Sequence, residues 1–415
     1  MPRTDVRASL APAGAAATAS RRAGFALLFA LLGLCLAISG LPSPLYDSYQ
    51  REWGFSPLTL TVVFAVYAIA ALAALLVVGK LSDSIGRKPV LVVAQLMLLG
   101  GLVLFIDAKS AGWLMAARAL HGAAIGSVAA TAGAALLDIR PSRGTLIGRS
   151  TGIVLTFGMT AGVLGGAILG QYAPHPHVIP YLVVGAAVLI TLGGTVAMPE
   201  PLADRKPLVP RQLEIRPRVP AAILDSFWFT AVSTAATWAV LGLYLSLVPG
   251  LASRDAHSVN LMTGGTVVAA LIGTAAVVQL FTHRISALRL AIAGDLILAG
   301  GLVLSVLAAA AHSTWAIYAT AVVMGVGLGP SFNGSLRHLS GVIPGGQRGQ
   351  VMSAYYLVGY LSLAIPAILA GLAASHVGLT STYVAFGIVV AVVCAGAAWL
   401  GSRIAARSRV GEHSP

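Results

Sequence analysis

Arg118 stands in the run Arg118-Ala119-Leu120-His121-Gly122-Ala123-Ala124-Ile125-Gly126, a guanidinium among residues that otherwise belong in hydrocarbon. An ionisable side chain on an apolar helix is costly unless it faces a cavity or a partner, so a functional role is the default reading of Arg118. His121, one turn later, is a candidate to share that wet face, with ordinary packing as the competing reading. Gly122 and Gly126 make a small-xxx-small step that allows a neighbouring helix to approach closely.

Two further groups have chemistry to offer. Asp225 is followed at four-residue steps by Phe229, Ser233 and Thr237, which places all four on one helical face with the acid at one end. This face reads as a cavity wall with a titratable carboxylate, or as a helix start closed by a capping or gating acid; Trp228 and Trp238 add aromatic area. Met352, Tyr356 and Tyr360 share a second face with Tyr355 beside it, the thioether and aromatic surface that holds flat amphipathic molecules, or else helix packing. Asp47, in a stretch with Tyr46, Tyr49, Arg51, Glu52 and Trp53, reads as a solvated loop carboxylate, with a gate or proton site as the alternative.

A charged corner, Gly79-Lys80-Leu81-Ser82-Asp83-Ser84-Ile85-Gly86-Arg87-Lys88, interrupts two long apolar runs. Gly79 and Gly86 permit tight turns or close helix approach, Arg87 and Lys88 supply positive charge, and Asp83 needs a basic partner. Arg87, Arg140 and Arg143 are the candidates for that role. No phosphate loop of the GxxxxGK[ST] kind, no HExxH and no nucleophile elbow occurs, so no catalytic residue, metal ligand or cofactor is expected, and the chain does not read as an enzyme.

The elements that must carry these residues follow from composition. With 57% hydrophobic and 9% charged residues in 415, the chain is an all-α polytopic membrane protein rather than a soluble one. Apolar stretches cover 23–46, 53–79, 89–106, 119–137, 150–199, 226–253, 256–283, 296–336 and 349–402. Three of these are too long for one helix and break at Pro174-His175-Pro176-His177, His312-Ser313 and Ser375-His376-Val377-Gly378, giving twelve spans. Of the 26 Lys and Arg, Arg51, Lys109 and Arg254 fall on one side, Arg118 lies within a span, and all the rest fall on the side of both termini. That bias predicts cytoplasmic termini and explains the net charge of +13 without a nucleic-acid partner. Cys35 and Cys394 lie inside spans and read as small apolar packing groups.

Residues 1–22 read as a disordered cytoplasmic tail and 404–415 as a second tail. The prolines at 199, 201, 207, 210 and 217 mark 199–219 as a cytoplasmic tether between a six-helix half at 23–198 and another at 220–403. Gly122, Gly126 and Pro141 recur as Gly325, Gly329 and Pro344 at one constant offset, which makes the halves pseudo-symmetric. The repeat is uneven, because Arg118 maps onto Ala321 and the 79–88 corner onto the weaker Thr282-His283-Arg284 with Arg289.

The order Gly-x-Leu-x-Asp-x-x-Gly-Arg-Lys at 79–88 closely resembles the loop signature between the second and third helices of the major facilitator superfamily. The pattern at Arg118, His121, Gly122 and Gly126 is similar to that family's fourth-helix motif, especially in its proton-coupled members. The fifth span, with Gly152, Gly158, Gly162, Gly165, Gly166 and Gly170, is similar to the fifth-helix signature of the antiporter branch. It departs from that signature in lacking a proline and one spacer residue around Gly162-Val163-Leu164-Gly165-Gly166. Glycine at this density also suits helices that slide past each other at a rocking interface.

The resemblance spans most of 24–403 and implies a twelve-helix transporter working by alternating access, with helices one, four, seven and ten lining a central cavity. It implies proton coupling or substrate binding at Arg118, a peripheral ninth helix whose Asp295 pairs with a base near the cytoplasmic side, and a cytoplasmic latch in which Asp83 also reaches toward the start of span eleven near Gly349. The expected activity is proton-coupled export of a small amphipathic compound by a monomer in the inner membrane. Proton-linked uptake of a sugar or organic anion is the alternative, and a non-transporting receptor is the reading from another class.

Overall fold

In a computed structural model the described residues are 11–205 and 218–411, so most of the 199–219 tether lies outside them. Helices follow one another as α1 (Ala11–Gly40), α2 (Tyr46–Trp53), α3 (Pro57–Ile85), α4 (Arg87–Ile106), α5 (Ala111–Ile139), α6 (Gly144–Tyr172) and α7 (Ile179–Ala197). The second half repeats the order as α8 (Leu224–Ser246), α9 (Val248–Asp255), α10 (Leu261–Phe281), α11 (Ala287–Ala310), α12 (Thr314–Val342), α13 (Arg348–Val377) and α14 (Leu379–Gly411). Twelve of these are long and apolar enough to cross a bilayer, and the short helices α2 and α9 each follow the first span of their half.

Local chemistry sets the ends. Ser56, Asn260 and Ser313 accept hydrogen bonds from the backbone N–H groups of Thr59, Met262 and Ala316, starting α3, α10 and α12. Gly86 and Gly378 have φ of +107° and +84°, which lets α3 turn into α4 and α13 into α14 with no longer connection. The described part of the tail expected to be disordered at 1–22 is helical, since α1 starts at Ala11, where alanine propagates the helix beyond the apolar span; α14 runs on to Gly411.

Glycine decides which helices touch. A Cβ at Gly122 or Gly126 of α5 would strike the Tyr67 and Ala71 carbonyls of α3, and one at Gly325 or Gly329 of α12 would strike the Leu271 and Ala275 carbonyls of α10. The sequence repeat is therefore a repeat of one helix–helix contact, made once in each half. Gly158, Gly162 and Gly166 of α6 lie against the backbone of Gly33 and Ala37 in α1 and of Leu41 just after it. These three glycines serve packing inside the first half, Gly170 lies between Leu45 and, from the second half, Leu261, and Gly165 points into open space.

The halves meet through α3 on α13 and α6 on α10. Cross-half hydrogen bonds gather at the end away from the termini: Ser43 Oγ donates to Leu245 O (2.8 Å), Leu58 N to Ser375 Oγ (3.2 Å) and Leu261 N to Gln171 Oε1 (2.9 Å). Toward the terminus-bearing end, Gln279 Nε2 donates to Thr156 Oγ1 at 3.4 Å.

Gly162→Val should lower stability by at least ~1–3 kcal/mol through overpacking against Ala37, whereas Gly165→Ala should be neutral or slightly stabilising. Thermal unfolding of the purified variants in one detergent checks the contrast.

Candidate functional site

The corner after α3 is built around Arg87, whose side chain is only 6% exposed. Its guanidinium meets Asp83 at 2.6 Å and Asp138, in the last turn of α5, at 3.0 Å, and it donates to Ser82 Oγ at 2.6 Å. The backbone N–H groups of Arg87 and Lys88 donate to the two carboxylate oxygens of Glu200 at 2.7 and 3.1 Å. A carboxylate on the first N–H groups of a helix is favourable for both hydrogen bonding and the helix dipole. Gly86 is required there, since a Cβ would run into the Glu200 carboxylate.

Asp138 and Glu200 escaped sequence reasoning, though each left a trace. An acid in the last turn of a helix opposes the dipole and needs a cation, and Glu200 is the acid of Pro199-Glu200-Pro201. Asp83 takes Arg87 as its partner, not Arg140 or Arg143. The Arg140 guanidinium lies 5.0 Å from the Phe25 ring centre, and Arg143 is exposed. Gly349 sits in open space, and no hydrogen bond joins the corner to the start of α13 among the described residues. Gly79 makes only an ordinary contact with Ala130.

Arg118 is completely buried in α5. Its Nε donates to the Tyr46 hydroxyl and its Nη1 to the Ser39 carbonyl at 3.1 Å, while the guanidinium carbon lies 5.4 and 5.2 Å from the Tyr46 and Tyr67 ring centres. Nη2 has no partner. α2 exists to make this possible: Tyr46 and Tyr49 are its buried residues, so the stretch read as an outer loop is a helix with its aromatic face turned inward. Asp47 is correspondingly not a solvated loop acid. Its side chain is 15% exposed and paired with Arg51, and it lies beside Gly250 of α9 in the other half. Burial pushes its carboxyl above the usual range, an effect that Arg51 opposes.

His121 does not share the Arg118 face. It is buried against α4 with its ring 5.3 Å from Phe105, in space left by Gly101, and neither ring nitrogen has a hydrogen-bond partner. Phe105 stacks on Tyr181 at 4.8 Å, whose hydroxyl accepts from Tyr49 at 3.3 Å.

In the second half the expected α8 wall turns away from the first half. Phe229 packs edge-on to His338 and fills the space beside Gly401, Ser233 donates to Asp295, and Thr237 donates to the Ser233 carbonyl of its own helix. Asp225 lies at the surface, 69% exposed, paired with Arg407, and is not brought to Arg118. Asp295 has no basic partner among the described residues; it is held by Ser233 and Ser331 instead. The α13 stripe divides. Met352 and Tyr356 pack on a small core of Ile223, Phe227, Leu339 and Val351, while Tyr360 meets Trp238 edge-on at 5.0 Å. Trp238 also approaches Phe332 at 6.3 Å, and α13, which carries Tyr360, packs on α3, which carries Tyr67.

Phe332, Trp238 and Tyr360 thus form one aromatic group in the second half and Tyr67 stands by Arg118 in the first, on helices α13 and α3 that pack together across the halves. Together they can hold a small amphipathic molecule by their rings and an acidic group by the guanidinium.

Residues 25–294 match the model of the Major Facilitator Superfamily. The chain is 28% identical over 178 residues to citrate exporter 1 of Aspergillus niger, covering 41% of this chain and 34% of that protein. It is 27% identical over 162 residues to multidrug resistance protein MdtL of Klebsiella pneumoniae, covering 39% and 40%. The matched stretch thus spans well under half of these relatives' lengths. Among solved structures, the human organic anion transporter MFSD10 aligns with a TM-score of 0.68 at 16% identity over 92% of this chain and 99% of that one. A bacterial homologue of the human lysosomal transporter Spinster, inward-facing and unoccupied, aligns with a TM-score of 0.74 at 14% identity over 92% and 97%.

Asp138→Asn should cost about 1.5–3 kcal/mol, because it weakens a charged hydrogen bond to a buried guanidinium. Asp83→Asn, at an acid 40% exposed, should cost no more than about 1 kcal/mol. Thermal unfolding of both variants beside the parent protein tests the order.

Proposed function

The chain belongs to the Major Facilitator Superfamily, and on that premise we propose that it is a secondary transporter that exports a small amphipathic compound in exchange for protons. The observation that carries this reading is the packing of α13, with Tyr360 against Trp238, on α3, whose Tyr67 lies by the buried Arg118. A site shared between two halves is bound from one side and released on the other when the halves rock, which is alternating access. Aromatic walls select for shape and apolarity more than for one hydrogen-bonding pattern, as export of varied compounds needs.

The protein works as a monomer in the inner membrane, its termini on the cytoplasmic side where Lys and Arg gather. With that orientation, Ser43–Leu245, Leu58–Ser375 and Leu261–Gln171 join the halves at the outer end, against the longer Gln279–Thr156 bond toward the cytoplasm, which supports an inward-facing reading of this state. Arg87 with Asp83, Asp138 and Glu200 braces the cytoplasmic end of the first half. Its hydrogen bonds are spent within that half, as expected of a latch to α13 that is released while the cytoplasmic side is open. Asp225, bound at the surface to Arg407, drops out as the central proton carrier.

A second reading, transport of an organic anion, is favoured by one feature: the buried Arg118 guanidinium has an Nη2 with no partner, to which a carboxylate could dock. The citrate exporter and the organic anion transporter among the similar proteins are in keeping with it.

Reconstituted protein in vesicles with an imposed pH gradient separates these readings, with ethidium as amphipathic cation and citrate as anion. The export reading expects gradient-driven ethidium flux. Trp238→Ala should raise its KM by about 2–10-fold, the loss of ~0.5–1.5 kcal/mol of aromatic contact. Citrate flux abolished by Arg118→Ala would favour the anion reading, and flux of neither probe under any gradient would count against transport of either class.

A further inference from the structure

Asp295 is the one completely buried acid among the described residues, and the transport cycle above gives it no task. It lies within the span of α11, where an ionised carboxylate without a counter-charge is expensive. Its Oδ2 accepts from Ser233 of α8 at 2.7 Å and its Oδ1 from Ser331 of α12 at 2.5 Å. The helices approach closely here: a Cβ at Gly294 would strike the Ser331 backbone, and one at Gly327 would strike Leu298.

The charged and titratable groups on the surrounding helices are otherwise engaged. α14 brings Cys394 within range. Its Arg403 lies over Trp399 at 4.7 Å and its Arg407 binds Asp225, the acid of α8. On α12, Arg337 donates to the Ile285 carbonyl at 3.1 Å and His338 bonds Ser226 at 3.1 Å. Arg289, on α11 itself, is exposed near the terminus-bearing end.

We propose that Asp295 is a proton-binding clasp that couples protonation to the aromatic site without touching the substrate. Ionised, the carboxylate receives both serine hydroxyls and ties α8 and α12 to α11. When a proton from water binds one carboxylate oxygen, the new acid O–H donates to a serine oxygen, and that serine turns its own hydrogen to the carbonyl one turn back in its helix. The same back-bonding is already used by Ser246 toward Gly242 O (2.7 Å) and Ser402 toward Ala398 O (2.8 Å). One of the two ties is then reversed and weakened. The tied helices carry the site: Phe332 is adjacent to Ser331, and Trp238 is on α8 beyond Ser233. A change in how α11 holds α8 and α12 therefore moves the Phe332–Trp238 pair against Tyr360.

This inference rests on the proton-coupled reading for its use, but its test does not require transport. Infrared difference spectra between acid and alkaline buffer, taken on the full-length protein in lipid vesicles, should show a protonated-carboxyl C=O band that Asp295→Asn removes. Ser233→Ala and Ser331→Ala should each shift that band, because each alters the hydrogen bonding of the acid while leaving it in place. The tryptophan fluorescence of the parent should change with the same pH midpoint as the band, and the change should be lost in Asp295→Asn and in Trp238→Phe. A band unaffected by Asp295→Asn, or one that is removed while the pH-dependent fluorescence persists, overturns the clasp. If wild-type ethidium flux ignored the pH gradient while the band and its fluorescence partner behaved as expected, proton-coupled export would fail and the clasp would stand.

Discussion

Hydrocarbon offers a buried polar group nothing to bond to, so a buried charge within a span depends on partners inside the protein. The described residues meet this constraint in a few concentrated places. Arg87 collects Asp83, Asp138 and Ser82 while Glu200 takes the start of α4; Arg118 collects Tyr46 and the Ser39 carbonyl; Asp295 collects two serines. Between these clusters the helices pack through apolar side chains and glycine. The clusters join helices that are distant in sequence and so fix which spans move together.

The two halves share a packing grammar but not a chemistry. Gly122 and Gly126 against α3 correspond to Gly325 and Gly329 against α10, and α2 corresponds to α9. Against that common frame, the first half keeps a buried cation where the second has Ala321, and the second keeps a buried acid on α11. Buried charges of opposite sign thus sit in opposite halves of one scaffold.

Much of the candidate site was legible at the level of single residues and less so at the level of pairs. Arg118 was marked by its cost in a membrane span, and Gly122 and Gly126 by their spacing; both turn out to be buried and to govern contacts. His121 was placed on the wrong side because a three-residue step leaves it about 60° from Arg118, enough for α4 to claim one and α1 to α3 the other. Phe229, Ser233 and Thr237 do share a face, as their spacing required, but helical periodicity cannot say whether a face meets the other half or its own. Asp225 failed as a central group because a helix can begin outside the bilayer and leave its first acid at the surface.

The sequence alone determined the class, the number of spans, the corner and the internal repeat, because each depends on local quantities: apolar run length, charge counts and residue spacing. Tertiary structure decided the rest. It turned an apparent outer loop into α2 so that Tyr46 could meet Arg118, gave Arg87 a second acid from α5, and left Asp295 with serines instead of a base. Those outcomes depend on which helix faces lie together in a crowded interior, a property of the packed whole that no stretch of chain encodes by itself.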